Sequence, residues 1–138
     1  MNVPFFLKID HLGIAVPSLD AAVPTWTALF GQPPEHFEEV PDQKVRTAFF
    51  SVGESHFELL EATDPASPIA AFIEKRRGGI HHVCVQVSDI DAALAEYKRL
   101  GVRLIDQVAR PGAHGCRVAF VHPAATGGVL LELSEPAS

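Results

Sequence analysis

Two histidines and two glutamates occupy matching positions in an internal repeat of the 138-residue sequence, namely His11, Glu58, His82 and Glu132. The stretch around the first histidine, residues 10–16, aligns with residues 81–87 around the second. Each glutamate follows its histidine at a similar distance, 47 residues in the first copy and 50 in the second. Imidazole and carboxylate ligands with room for further oxygen ligands suit a divalent ion of octahedral habit, such as Co, Mn, Ni, Fe or Zn. The repeat therefore predicts a metal site whose open positions accept substrate.

A structural role is the alternative for each of these residues taken alone. A single histidine at the start of a strand is more often a satisfied structural residue than a ligand. A glutamate in the middle of a strand is harder to explain, because carboxylates are almost never fully buried unless paired. Agreement of all four positions across the repeat favours metal binding. His81 alternates onto the opposite strand face and is predicted to be structural. His56 shares the face of Glu58; a structural role is favoured for it over that of an extra polar neighbour.

Each copy of the repeat reads as a strand, a helix and three further strands. In each opening strand apolar residues alternate with small or polar ones, so one face can pack under a helix while the other carries the histidine. Beyond the opening strands, the predicted strands are residues 37–40, 45–52, 56–61, 103–107, 116–121 and 128–133. The predicted fold class is α+β, with two paired βαβββ modules in a single domain that spans residues 1–138 and forms a cleft around the metal. The modules lie at about 8–61 and 80–134 and are joined by a helix at about 68–77.

Composition and charge argue against several classes of protein. The chain is 47% hydrophobic and 20% charged, and its net charge of −6 without a basic stripe argues against nucleic acid as a partner. No apolar run approaches the roughly 20 residues of a membrane span, so no membrane partner is expected. The apolar N-terminal stretch is too short for a signal sequence, and the prediction is a cytoplasmic protein. Cys84 and Cys116 lack CxxC spacing and indicate no disulfide framework.

A glycine-flanked segment in the second half, Gly112-Ala113-His114-Gly115, is a candidate substrate-binding loop. Its glycines allow backbone N–H groups and an imidazole to approach a ligand closely. The alternative is a plain hairpin turn, and the sequence leaves both interpretations open.

The chain resembles the vicinal oxygen chelate superfamily (glyoxalase, bleomycin resistance protein and dioxygenase), which is built from paired βαβββ modules. Within that superfamily it is most similar to the methylmalonyl-CoA epimerase family. The resemblance covers nearly the whole chain, and its motifs are residues 10–16, 57–61, 67–73, 78–83, 112–115, 122–123 and 126–133.

This resemblance implies a divalent metal ion (Co, Mn, Ni, Zn or Mg) held by His11, Glu58, His82 and Glu132. It also implies epimerisation of (2R)- and (2S)-methylmalonyl-CoA through an enolate, an acyl-CoA partner and a homodimer. Inverting the carbon requires a base on each face, and the family implies that Glu132 is one of them. The family's second base is a glutamate in a phrase like Glu-Gln-Gly-Val.

The chain departs from the family at this second base, because the matching phrase here is Asp42-Gln43-Lys44-Val45. The resemblance therefore assigns the second base to Asp42, although its side chain is one methylene shorter than that of Glu. A displacement of about 1 Å can cost on the order of 10²-fold in rate. Glu38 and Glu39 lie nearby and are the alternatives.

Other functions of the same fold remain as alternatives. A glyoxalase I-type lactoylglutathione lyase shares all four ligands but does not explain the epimerase-like motifs. An extradiol dioxygenase uses two histidines and one carboxylate and fits less well. A non-enzymatic protein that binds a small molecule would not need four converging ligands.

Overall fold

The computed structural model describes residues 5–137, which form two compact units. The first unit is residues 11–81; the second is residues 82–137 together with residues 5–10. The strands are β1 (Phe6–Ala15), β2 (His36–Val40), β3 (Val45–Val52), β4 (Ser55–Ala62), β5 (Gly79–Val87), β6 (Arg110–Pro111), β7 (Arg117–Val121) and β8 (Leu131–Glu135). The helices are α1 (Leu19–Phe30), α2 (Pro68–Arg76), α3 (Ile90–Arg99) and α4 (Pro123–Thr126). The predicted α+β class and the two βαβββ patterns are confirmed. None of these helices is long and apolar enough to cross a membrane.

In the first unit the strand order is β2-β3-β4-β1, with β1 and β4 parallel and the other pairs antiparallel. Ser18 begins α1 by accepting the Ala21 N–H, and Gly31 ends the helix in the left-handed conformation (φ 73°). The helix packs against alternate strand residues, including Ile14 and Leu59. The apolar side of β1 therefore lies under α1, as its sequence pattern predicts.

The second unit repeats this arrangement with the order β5-β8-β7-β6, in which β5 and β8 are parallel. Asp89 begins α3 by accepting the Ala92 N–H, and the helix packs on a core that includes Val85 and Leu133. One predicted strand is wrong: residues 103–107 form only an isolated bridge between Leu104 and Val121. The Ile105 and Asp106 N–H groups of this segment both donate to the single carbonyl of Phe120 in β7, and the two-residue strand β6 pairs with β7 in its place.

Alternation along the strands separates two faces in each unit. Helix-facing residues such as Leu59 and Leu133 are completely buried in the apolar cores. Glu58 directly precedes Leu59, and Glu132 directly precedes Leu133. Both glutamates point to the other face, because successive side chains of a strand alternate. In each unit this is the face that carries the histidine and the glutamate of the repeat, and it is called the ligand face below.

Candidate metal centre and active site

The first unit holds His11 and Glu58 as a buried pair. The histidine Nε2 lies 3.3 Å from the Glu58 Oε2, and the two residues are 7% and 6% exposed. Parallel pairing of β1 with β4 sets Gly13 beside Glu58, and antiparallel pairing sets Phe49 on its other side. Gly13 is itself buried and places no side chain next to the carboxylate.

The second unit holds His82 and Glu132 in nearly the same geometry. The Nε2 to Oε1 distance is 3.0 Å, and both residues are 5% exposed. Cys84 is the β5 partner of Glu132, and Phe120 is its β7 partner. The Phe120 ring stands edge-on to the His82 imidazole, with 5.8 Å between the ring centroids. The site of each unit is thus a strand-borne imidazole and carboxylate, and in the second unit an aromatic ring stands beside the imidazole.

These two pairs have the donor chemistry of a metal site. Buried carboxylates are costly unless paired, and each is here paired with an imidazole nitrogen, a donor that binds transition metals and zinc. The structure therefore brings each predicted histidine together with the predicted glutamate of its own unit. Sharing of one ion by all four residues stays a prediction.

Glu61 and Glu135 form a second pair of repeat positions, which the sequence interpretation missed. Glu61 Oε1 accepts the N–H of Leu19, the first residue of α1, at 2.8 Å. Glu135 Oε1 accepts the N–H of Ile90, the first residue of α3, also at 2.8 Å. Each follows the ligand-face glutamate by three residues and so lies on the helix face. The signal was present in the sequence as a second glutamate at the same spacing in both copies.

Asp42 lies in an exposed four-residue turn between β2 and β3. The turn is closed by the Lys44 N–H donating to Pro41 O at 3.2 Å, and Lys44 has a left-handed φ of 55°. Glu58 pairs with Phe49, four residues into β3, which is about 13 Å of strand beyond Val45. The structure thus places Asp42 at the end of the sheet and not beside the buried pair, and its role as a base stays a prediction.

The segment Gly112–Gly115 forms the hairpin between β6 and β7. The Gly112 N–H donates to Cys116 O at 2.9 Å, and exposed His114 takes a left-handed φ of 57°. A Cβ on Gly112 would lie 2.6 Å from Val118 Cγ1, so a larger residue there would force Val118 to shift. The hairpin interpretation is confirmed, while substrate binding by Gly112, Ala113, His114 and Gly115 stays a prediction.

The remaining histidines have local partners. His56 Nε2 lies 2.8 Å from Glu35 Oε1, and His81 stands edge-on to Phe72 with 5.0 Å between the ring centroids. His122 caps α4 by accepting the Ala124 N–H. The structural role of His81 stays a prediction.

Neither cysteine forms a disulfide within the described residues. Cys84 is completely buried on the ligand face of the second unit. Burial is the main cause that raises the pKa of the Cys116 thiol, and the negative charges of Asp10 and Glu132 raise it further. A raised pKa keeps Cys116 a neutral thiol near pH 7.

Comparison with known proteins is consistent with this geometry. Residues 10–120 match the family described as the glyoxalase/bleomycin resistance protein/dioxygenase superfamily. The mitochondrial methylmalonyl-CoA epimerase of Homo sapiens is 36% identical over 129 residues, which cover 93% of this chain and 73% of that protein.

Solved structures of similar proteins cover nearly the whole chain. The methylmalonyl-CoA epimerase of Mycobacterium tuberculosis has a TM-score of 0.94 and 37% identity, and the match covers 100% of this chain and 93% of that one. A methylmalonyl-CoA epimerase in complex with methylmalonyl-CoA and NH4+ has a TM-score of 0.91 and 35% identity, with 96% of both chains covered. The chain therefore belongs to the glyoxalase/bleomycin resistance protein/dioxygenase superfamily and, within it, to the methylmalonyl-CoA epimerase family.

Proposed function

We propose that this protein interconverts (2R)- and (2S)-methylmalonyl-CoA by removing and returning the proton on C2 with the help of a divalent metal ion. The observation that carries the proposal is the pair of matched, buried imidazole–carboxylate sites at repeat positions of a chain from this family. A non-enzymatic binding protein would have no use for two buried carboxylates, each aimed at an imidazole.

The proposed metal ligands are His11, Glu58, His82 and Glu132. An ion bound to them would act as a Lewis acid towards the thioester oxygen and so make the α-proton more acidic. The proposed ion is one of Co, Mn, Ni, Zn or Mg; the two imidazoles favour the transition metals and zinc over Mg, which prefers oxygen ligands. A metal analysis of gently purified protein identifies it.

Glu132 is the proposed base on one face of the substrate. Its carboxylate takes the C2 proton, and the electron pair of that C–H bond moves into the thioester as an enolate. The carboxyl group of Asp42 donates a proton to the opposite face, which completes the inversion and leaves one base protonated and the other deprotonated. Because Asp42 is in an exposed turn, this role requires either that the acyl group extend towards the turn or that the turn close on it.

Solvent isotope exchange tests the proposal. Methylmalonyl-CoA is incubated with the protein and Co²⁺ in D₂O, and deuterium at C2 is measured by mass spectrometry. Incorporation that depends on the protein and the metal supports epimerisation. Turnover of a glutathione hemithioacetal with no deuterium at C2 would instead identify a glyoxalase I-type enzyme.

Assembly and location are the remaining parts of the proposal. Phe6, Leu7 and Ile9 at the start of β1 are 53%, 58% and 54% exposed, which favours a homodimer that covers them. Sedimentation equilibrium distinguishes a dimer from a monomer. The cytoplasm is the proposed location, although the human relative is described as mitochondrial; cell fractionation measures it.

A further inference from the structure

Arg110 lies on the ligand face of the second unit, one aromatic ring away from His82. The β6–β7 register pairs Arg110 with Val118, and Val118 pairs with Ser134, two residues after Glu132. The Arg110 Cζ lies 5.8 Å from the centroid of Phe120, the ring that stands edge-on to the His82 imidazole. The guanidinium, the aromatic ring and the imidazole therefore form a continuous row.

Asp106 forms an ion pair with this guanidinium. One carboxylate oxygen of Asp106 accepts the backbone N–H of Phe120 at 2.8 Å, and the other lies 3.2 Å from Arg110 Nε. The Asp106 side chain is 16% exposed, whereas that of Arg110 is 33% exposed. The arginine thus has a half-buried carboxylate on its Nε side, and its side chain is one third exposed.

The chemistry of the proposed substrate calls for such a group. Methylmalonyl-CoA carries a free carboxylate one carbon away from the thioester, and the protein itself has a net charge of −6. A planar guanidinium binds a carboxylate with two parallel hydrogen bonds and stays charged at every physiological pH. We propose that Arg110 binds the free carboxylate of the acyl group and so selects malonyl-type thioesters over simple acyl thioesters. This inference rests on the proposed function, since that function supplies the substrate.

The coenzyme phosphates are also anions that an arginine could bind. Comparing two ligands that differ only in the acyl carboxylate distinguishes binding of that carboxylate from binding of a phosphate. Methylmalonyl-CoA and propionyl-CoA share every phosphate, and only the first carries the carboxylate. Binding of each is measured by titration calorimetry, with the same divalent ion in every sample, for wild type, Arg110→Gln and Arg110→Lys. Thermal unfolding of each variant verifies that it is folded.

Arg117→Gln is the matched control. Arg117 is the β7 partner of Pro111 in the same hairpin, but it lies on the helix face and binds both Asp91 oxygens at 2.8 and 2.9 Å. This variant removes the same charge from the same hairpin without touching the ligand face.

The expected result is that Arg110→Gln weakens methylmalonyl-CoA binding about tenfold or more and leaves propionyl-CoA binding unchanged. Arg110→Lys should retain part of the preference, and Arg117→Gln should retain all of it. Equal weakening of both ligands would assign Arg110 to a phosphate and overturn the proposal, as would no change in either. Failure of the proposed function is distinct, since it appears in wild type as absence of deuterium exchange whatever the binding ratio.

Discussion

The two buried glutamates allow a direct test of which one acts as a base. Glu58 and Glu132 are 6% and 5% exposed, and their carboxylate oxygens lie 3.3 and 3.0 Å from a histidine Nε2. Their environments are matched, yet only Glu132 is proposed to take a proton as well as hold the metal. We expect Glu58→Gln and Glu132→Gln to have similar effects on stability and very different effects on catalysis.

The similar effect of the two substitutions on stability follows from their matched geometry. Each substitution replaces a charge-assisted contact with a neutral one in an equally buried place, which costs about 1 kcal/mol of unfolding free energy. For a domain of this size that is a fall of about 4 °C in Tm. The different effect on catalysis follows from the proposed role of Glu132, because removing a general base lowers a rate by about 10²- to 10⁴-fold. A glutamine at position 58 keeps an oxygen ligand, so its main effect is weaker metal binding.

The assay is deuterium incorporation at C2, measured for both variants over a range of Co²⁺ concentrations. At saturating metal, Glu58→Gln should retain a rate within about tenfold of wild type, and Glu132→Gln should fall by at least about 10²-fold. Equal losses at saturating metal would refute the reasoning, since they would make Glu132 a ligand with no further role. Thermal unfolding without metal verifies that the two variants are equally stable.

Two further predictions concern the turn and the helix starts. Asp42→Asn should stop inversion while one isomer still exchanges its proton, and Asp42→Glu should raise the epimerisation rate by restoring the longer side chain. Chiral chromatography of the product measures inversion. Unchanged epimerisation in the asparagine variant removes Asp42 from the mechanism. Glu61→Gln and Glu135→Gln should each cost about 1 kcal/mol in urea unfolding, because each carboxylate accepts the first N–H of a helix. Their costs should add in the double variant, and a double variant no less stable than either single one contradicts independent helix caps.

The sequence predicted the elements that the repeat encodes. Alternation in β1 and β5 assigned His11 and His82 to the face away from the helices, and the shared spacing identified Glu58 and Glu132 as their counterparts. Both inferences succeed because the side-chain period of a strand is fixed by geometry and because two copies of one pattern reinforce each other.

Elements outside the repeat were harder to predict. Residues 103–107 have the composition of a strand, but two of their N–H groups donate to the same carbonyl, that of Phe120 in β7, which a regular ladder does not allow. Tertiary contacts here outweigh a short apolar pattern. The position of Asp42 was also out of reach, because sequence spacing does not give the distance between an exposed turn and a neighbouring strand. The proposed role of Arg110 could not be predicted from the sequence, because it depends on the position of its guanidinium over the Phe120 ring.

The spacing of the two glutamates in each closing strand links the chemical site to the helix. Residues three apart on a strand point to opposite faces, so Glu58 meets His11 while Glu61 holds the first N–H of α1. A shift of register by one residue would remove both contacts together. The metal-site contact and the helix cap therefore depend on the same strand register in each copy.

The repeat supplies matched ligands, and inverting a carbon centre needs one proton-transfer group on each of its two faces. A difference between those two groups would come from segments that differ between the copies. The turn after β2 and the hairpin after β6 occupy corresponding places in the two βαβββ patterns, and the first carries Asp42 where the second carries His114. Placing in the first turn the residue type of the second hairpin, as in Asp42→His, should therefore alter which isomer loses its proton while leaving metal binding unchanged. A change in metal affinity instead would mean that the turn belongs to the ligand set.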